Sequence, residues 1–265
     1  MSMLDVYVKG WRESTAAVRQ LVTDLTPDQW ATPTDLPGWS VQDTFAHLAH
    51  LEAVLAETTA DIPSGTRGVV ISDYTETGVA ERRDRPVADL LEEFDGAVTI
   101  RTERLSDVSK FDPASVADRT PGDVGWTWEV LLRNRCVDMW CHEQDIRRAL
   151  GRPGGMDGTA AQVVTMTMSF GMPFVLGKKV EAPVGTVVKW TITGEVPVDL
   201  AVKVGDGGRA ARVEDIDEFD AELTMSTETF TILSAGRRTA DQVDVMIAGD
   251  ESLGRSVLAQ MAITP

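Results

Sequence analysis

Asp138-Met139-Trp140-Cys141-His142-Glu143-Gln144-Asp145 lies late in an apolar-periodic segment, residues 127–150, that reads as one long helix closed by Gly151 and Pro153. Asp138 and His142 stand four residues apart and so share a helical face, and Asp145 continues the stripe three residues on. A carboxylate and an imidazole on such a step can share one metal ion, provided a third ligand comes from elsewhere. The chain has three histidines, His47, His50 and His142. The reading therefore turns on whether His47 or His50 faces this helix.

Working outward, three more long helices precede that segment. Residues 3–24 place Leu4, Val8, Trp11, Val18, Leu21 and Val22 at helical spacing. Leu36-Pro37-Gly38-Trp39 is a turn, and Ser40 with Asp43 forms a capping-box pair that opens a helix over 40–61. His47 and His50 both fall on that helix. Residues 62–85 read as loop, and a third helix starts near Pro86 and runs to about 106. Four helices of this length predict a four-helix bundle. A Met-rich bridging helix over 158–176 follows Gly154-Gly155. Strands are then expected near 186–193, 198–204, 209–214 and 220–225, with short helices at 227–235, 239–246 and 252–262. The fold class is α+β: a helix bundle over 1–155, then a smaller α+β domain over 156–265.

The bulk composition narrows the function. Lys and Arg total 25 against 42 Asp and Glu, a net charge of −17, so no cationic surplus exists to neutralise a nucleic-acid backbone or an anionic membrane. The N-terminus carries no basic segment followed by an apolar one, and no apolar run is expected to span a membrane. Cys136 and Cys141 sit five residues apart, about 140° round a helix, too splayed for a disulfide. Two reduced, half-buried thiols suit a cytoplasmic protein.

Two imidazoles and a carboxylate are the ligand set of an open catalytic site, with positions left for water or substrate, and suit zinc or another divalent ion. His47 on the second long helix and Asp138 with His142 on the fourth can supply that set in a bundle interior. The plainer alternative is local pairing on solvated faces, Asp138 with Arg135 and Asp145 with Arg148, each worth a few tenths of a kcal/mol. Trp39, Trp126, Trp128 and Trp140 cluster in sequence around these motifs, as site walls or as core.

Leu36-Pro37-Gly38-Trp39-Ser40-Val41-Gln42-Asp43-Thr44-Phe45-Ala46-His47-Leu48-Ala49 and Trp140-Cys141-His142-Glu143-Gln144-Asp145-Ile146-Arg147 resemble the two helix signatures of the mycothiol-dependent maleylpyruvate isomerase family, within the DinB-like superfamily. The resemblance implies a DinB-like metal-binding bundle followed by a domain similar to sterol-carrier proteins. It implies zinc on His47, Asp138 and His142, although the isomerase carries Glu where this chain has the shorter Asp138. It implies mycothiol as the thiol cofactor, and an Arg of the second domain that completes the active site, for which Arg237 is the candidate. Arg237 near a helix end equally suits capping of the last carbonyls. His50, one turn from His47, and Arg82, in the run Arg82-Arg83-Asp84-Arg85, are candidates for binding the cofactor, with surface exposure and a solvated loop as the alternatives. Asp145 is a candidate to fix the tautomer of a ligand histidine.

The expected function is a divalent-metal-dependent isomerase or S-transferase in which a low-molecular-weight thiol attacks an electrophilic small molecule. A metal-dependent hydrolase with activated water is one alternative. A non-catalytic protein that binds an apolar ligand or partner in its second domain is another.

Overall fold

Ser40 stands at the head of the most buried helix in the protein. In a computed structural model that describes residues 1–214 and 218–264, its hydroxyl accepts from the Asp43 amide while the Asp43 carboxylate accepts from the Ser40 amide, closing the expected capping box. The helix so started, Val41–Ala56, has every residue buried except Gln42. Its apolar content is spread over all faces, which is how a helix reads when neighbours surround it.

The chain divides into two compact units, Met1–Val163 and Val164–Pro265. Helices are numbered α1 Met3–Leu21, α2 Pro27–Trp30, α3 Val41–Ala56, α4 Ser72–Ala80, α5 Val87–Arg104, α6 Trp128–Leu150, α7 Thr159–Ser169, α8 Met172–Phe174, α9 Thr227–Ser234 and α10 Glu251–Leu258. In the first unit α1 lies along α6 and α3 along α5, with α3 also touching α6, which gives the four-helix bundle. Trp11, Phe45, Leu48, Phe94, Leu132, Met139 and Trp140 fill its interior. The division falls inside α7 rather than ahead of it at 155, because the start of α7 docks on α1. Glu13 accepts from the Thr159 amide at 2.8 Å, and Gly10 lets the backbone of Ala160 approach so closely that an added Cβ would stand 3.1 Å from its Cα.

One long-range tie organises the bundle. Glu52, fully buried on α3, accepts from Trp11 Nε1 of α1 at 3.2 Å, from Arg135 of α6 at 2.8 Å and from Arg101 of α5. All four long helices meet at this one carboxylate. Burial works against its charged form, but the two guanidinium groups outweigh that and hold its pKa below the ordinary value.

Two stretches differ from the sequence reading. Residues 72–80 form α4 instead of loop; its N-cap, Ile71, offers no side-chain cap and Gly78 interrupts the pattern, so the usual helix signals are missing. In the second unit residues 239–246 are not a helix but a single 3₁₀ turn, Ala240–Gln242, leading into a strand, Met246–Gly249. Val243, Val245 and Ile247 alternate, and Ile247 pairs with Leu223, so the period of two prevails over helix propensity. Among the described residues the second unit has one five-stranded sheet. Its strands are β1 Val187–Thr193, β2 Val198–Val204, β3 Ala210–Val213, β4 Ala221–Ser226 and β5 Met246–Gly249, in the order β3-β2-β1-β4-β5. Neighbours are antiparallel except β1 and β4, which run parallel. Contrary to expectation, Thr159–Lys179 is long and apolar enough to cross a membrane by length and composition, with a mean hydropathy of 1.3. Some 56 % of that window is buried inside the protein, the pattern of a core helix.

Candidate metal centre

His47 on α3 and Asp138 and His142 on α6 converge, the set that the family resemblance implies. Asp138 Oδ1 lies 3.3 Å from His47 Nε2 and 3.5 Å from His142 Nε2, and the three donor atoms all fall within 4.8 Å of one another. The imidazole centroids are 4.7 Å apart at 71°. Both histidines are buried, and Asp138 is the partly open member at 29 % side-chain exposure. Its shorter side chain still reaches both rings.

The surroundings fix each donor. Asp145 faces His142 Nδ1 at 3.0 Å and accepts from Arg148 at 2.6 Å; Arg148 in turn donates to Asp35 at 2.7 Å. A carboxylate at Nδ1 places the hydrogen there and leaves His142 Nε2 turned toward Asp138 Oδ1 as a lone pair. Arg135 beside Oδ2 offsets part of the Asp138 charge, but an electron-rich nitrogen and a carboxylate oxygen 3.5 Å apart still favour a positive charge between them. A proton or a metal ion meets that need, so the donor set fits a divalent cation. The same demand is visible in the titration behaviour. Burial opposes the charged form of His142, yet Asp138 and Asp145 together raise its pKa above the ordinary value. At His47 burial wins over Asp138, and the pKa falls. Burial also opposes the Asp138 carboxylate, but Arg135 and the two imidazoles hold it well below the usual range. His47 Nδ1 is buried and has no hydrogen-bond partner among the described residues.

The local pairs offered as the plainer alternative are present but are not solvated contacts. Arg135 is 2 % exposed and Asp145 fully buried, so both pairs belong to the interior and coexist with the cluster. Trp39 covers the two imidazoles, with centroids 5.3 and 6.1 Å from His47 and His142. Its indole N–H donates to Glu76 at 3.0 Å, and Glu76 accepts from Arg83, which also donates to Asp43 at 2.9 Å. This relay ties α4 to the capped start of α3. The other tryptophans are structural: Trp140 donates to the Gly155 carbonyl, Trp126 to that of Gly68, and Trp128 stacks on Phe111.

His50 turns away from the cluster. It is buried against Gly78, where any Cβ would collide with the imidazole, and it lines a cavity of about 320 Å³ with Tyr74, Thr77 and Ser64. Burial first, then the charge of Arg82, lowers its pKa to about 4. Arg82 is corrected on both readings. It is neither solvated nor an open cofactor-binding group, since it is 2 % exposed and donates to Glu93 at 2.8 and 3.0 Å and to the Gly78 carbonyl at 3.0 Å. Arg237, in the second unit, donates to the Ala235 carbonyl at 2.8 Å, a helix-end contact. Both cysteines are buried and neither forms a disulfide, and burial pushes Cys136 up to about 12. Sequence reasoning missed Glu52, Arg101 and Asp35. Glu52 alone carried a signal, a charge set among Leu48, Leu51 and Leu55.

Residues 11–147 match the mycothiol maleylpyruvate isomerase N-terminal domain family. The chain belongs to that family. The match covers both histidine-bearing helices and the whole candidate centre. Family membership agrees with the solved structures that the fold resembles. A mycothiol-dependent maleylpyruvate isomerase superposes with a TM-score of 0.58 at 13 % identity, covering 94 % of this chain and 93 % of that one. A histidine-to-alanine mutant of a mycothiol-dependent maleylpyruvate isomerase gives 0.58 at 14 % identity over the same shares. At such identity the likeness speaks for the fold, which extends beyond the family's N-terminal domain into the sheet-bearing unit. A fungal sterol carrier protein 2, from Yarrowia lipolytica, aligns with 38 % of the chain at a TM-score of 0.27 and 11 % identity, too low to support an argument. A comparison with curated protein sequences finds no match.

Proposed function

We propose that this family member is a divalent-metal-dependent enzyme, zinc being the candidate ion, in which mycothiol attacks an electrophilic small molecule in an isomerase or S-transferase reaction. The observation that carries the proposal is the convergence of His47 Nε2, Asp138 Oδ1 and His142 Nε2 within 4.8 Å, inside the segment that defines the family. A bound divalent ion would lower the pKa of a thiol that reaches it and so supply a thiolate at neutral pH.

The protein's own residues account for the rest. Asp145 and Arg148 orient His142, Arg135 orients Asp138, and Trp39 shields the imidazoles from water on one side. The sulfur lone pair forms the new S–C bond, and the electron pair of the electrophile's double bond moves onto its carbonyl oxygen. In an isomerase the adduct turns about the resulting single bond, and the S–C bond breaks to restore the double bond and the thiolate. In a transferase the carbon is protonated and the conjugate leaves. His50 is the candidate to bound the thiol's pocket. Two buried cysteines outside any disulfide support a reducing, cytoplasmic setting.

The test joins metal analysis to a thiol-consumption assay. Purified protein is expected to carry about one divalent ion, the His142→Ala variant to lose it, and electrophile turnover to require added mycothiol. Equal turnover without any thiol would instead identify a hydrolase. A metal-free protein whose His142→Ala variant behaves as wild type would sink the reading.

A further inference from the structure

We propose that Arg135 is a positioning residue that holds Asp138 as a one-oxygen ligand and thereby keeps one coordination position free for sulfur. The inference rests on the metal reading above. Arg135 Nη1 donates to Asp138 Oδ2 at 2.8 Å, while Oδ1, the other oxygen, is the one that faces both imidazoles at 3.3 and 3.5 Å. The carboxylate is thus divided between two tasks.

Arg135 cannot easily let go. Its Nη2 and Nε donate to Glu52 Oε1 at 2.8 and 3.3 Å, and Glu52 is itself fully buried and bound to Trp11 and Arg101. A guanidinium is planar and rigid, so fixing one edge on Glu52 fixes the direction of the other. Turning Oδ2 toward a metal would leave a 2 %-exposed Arg135 with an unpaired donor, a cost that the interior does not repay. Asp138 is a short side chain on the same helix, one turn above Arg135, and has little freedom to bring both oxygens to bear. Two histidines and a single carboxylate oxygen leave one position open in a four-coordinate site. A carboxylate bound through both oxygens would compete for that position.

Arg135→Lys keeps the charge but not the two-edged fork. Cobalt(II) is the probe, since its visible d–d bands are intense in four-coordinate sites and weaken as coordination rises. Wild type loaded with cobalt(II) is expected to give the intense bands and to strengthen them with a thiol. Arg135→Lys is expected to bind cobalt(II) roughly 10- to 100-fold more weakly and to give the weaker, higher-coordinate spectrum. An Arg135→Lys protein with native circular dichroism, wild-type cobalt affinity and an unchanged spectrum overturns the proposal. A second measurement does not depend on the variant folding: X-ray absorption of the zinc-loaded wild type, read for one or two Asp138 oxygens in the metal's nearest shell. Two oxygens overturn the proposal while leaving the metal reading intact. A wild type that takes up neither ion overturns both.

Discussion

At the scale of single residues, charge placement decides behaviour more than residue type. His142 and His50 are both buried imidazoles on neighbouring helices of one bundle, yet carboxylates raise the pKa of one, and burial beside Arg82 lowers the other to about 4. The unfolded chain titrates His50 at its ordinary 6.5, so between pH 6.5 and 4 the unfolded state binds more protons than the folded one. The His50 contribution is therefore intact above pH 6.5 and lost as pH falls toward 4, by on the order of 3 kcal/mol. Urea titrations across that range should show wild type losing more stability than His50→Gln; parallel curves would refute the assignment. Asp145→Asn tests the other histidine. It removes the carboxylate that fixes the His142 tautomer, and zinc affinity measured by chelator competition is expected to fall roughly 10- to 100-fold. Unaltered affinity would show that Asp145 serves only the ion pair with Arg148.

At the scale of elements, the parts legible in the sequence were those with a local mechanism. The Ser40–Asp43 capping box, the Gly151 stop in the left-handed conformation and the period-two strand Val198–Val204 all formed as read. Of the His47, Asp138, His142 convergence, the shared face of Asp138 and His142 was legible from helical spacing, whereas the choice of His47 over His50 rested on the family resemblance. What could not be read was tertiary. α4 has no cap and takes its position from Trp39, Arg83 and the Gly78 contact with His50; the role of Arg82 depends on Glu93, eleven residues away on another helix. Ser40→Ala should cost α3 about 1 kcal/mol by loss of its cap, seen as a lower urea midpoint at unchanged slope. Gly78→Ala is expected to be worse than its helix propensity suggests, since Ala should help an exposed helix but here meets the imidazole. A stabilised Gly78→Ala protein would mean that His50 moves aside freely.

At the scale of the whole molecule, stability and the proposed metal binding run through shared residues. Glu52→Gln removes the buried carboxylate that Arg101 and Arg135 share, leaving Arg135 paired with Asp138 alone, and should destabilise the protein by roughly 3–5 kcal/mol, measurable by denaturant unfolding. Chelation should act in the same direction: an ion at 100 times its dissociation constant adds about 2.7 kcal/mol, so a chelator should lower the melting temperature and re-added zinc restore it. A melting temperature indifferent to chelator would argue that no ion binds the folded state. The meeting of four helices at one carboxylate also restricts descent. Losing Arg101 or Arg135 alone strands a buried charge, whereas replacing Glu52, Arg101 and Arg135 together with apolar residues of similar volume can be neutral or better. A lineage that took the second route would free Asp138 from Arg135 in the same event. On the proposed metal reading, the bundle's interior and the His47–Asp138–His142 cluster would then be inherited jointly, and descendants that had shed such chemistry should be recognisable by an apolar residue at the position of Glu52.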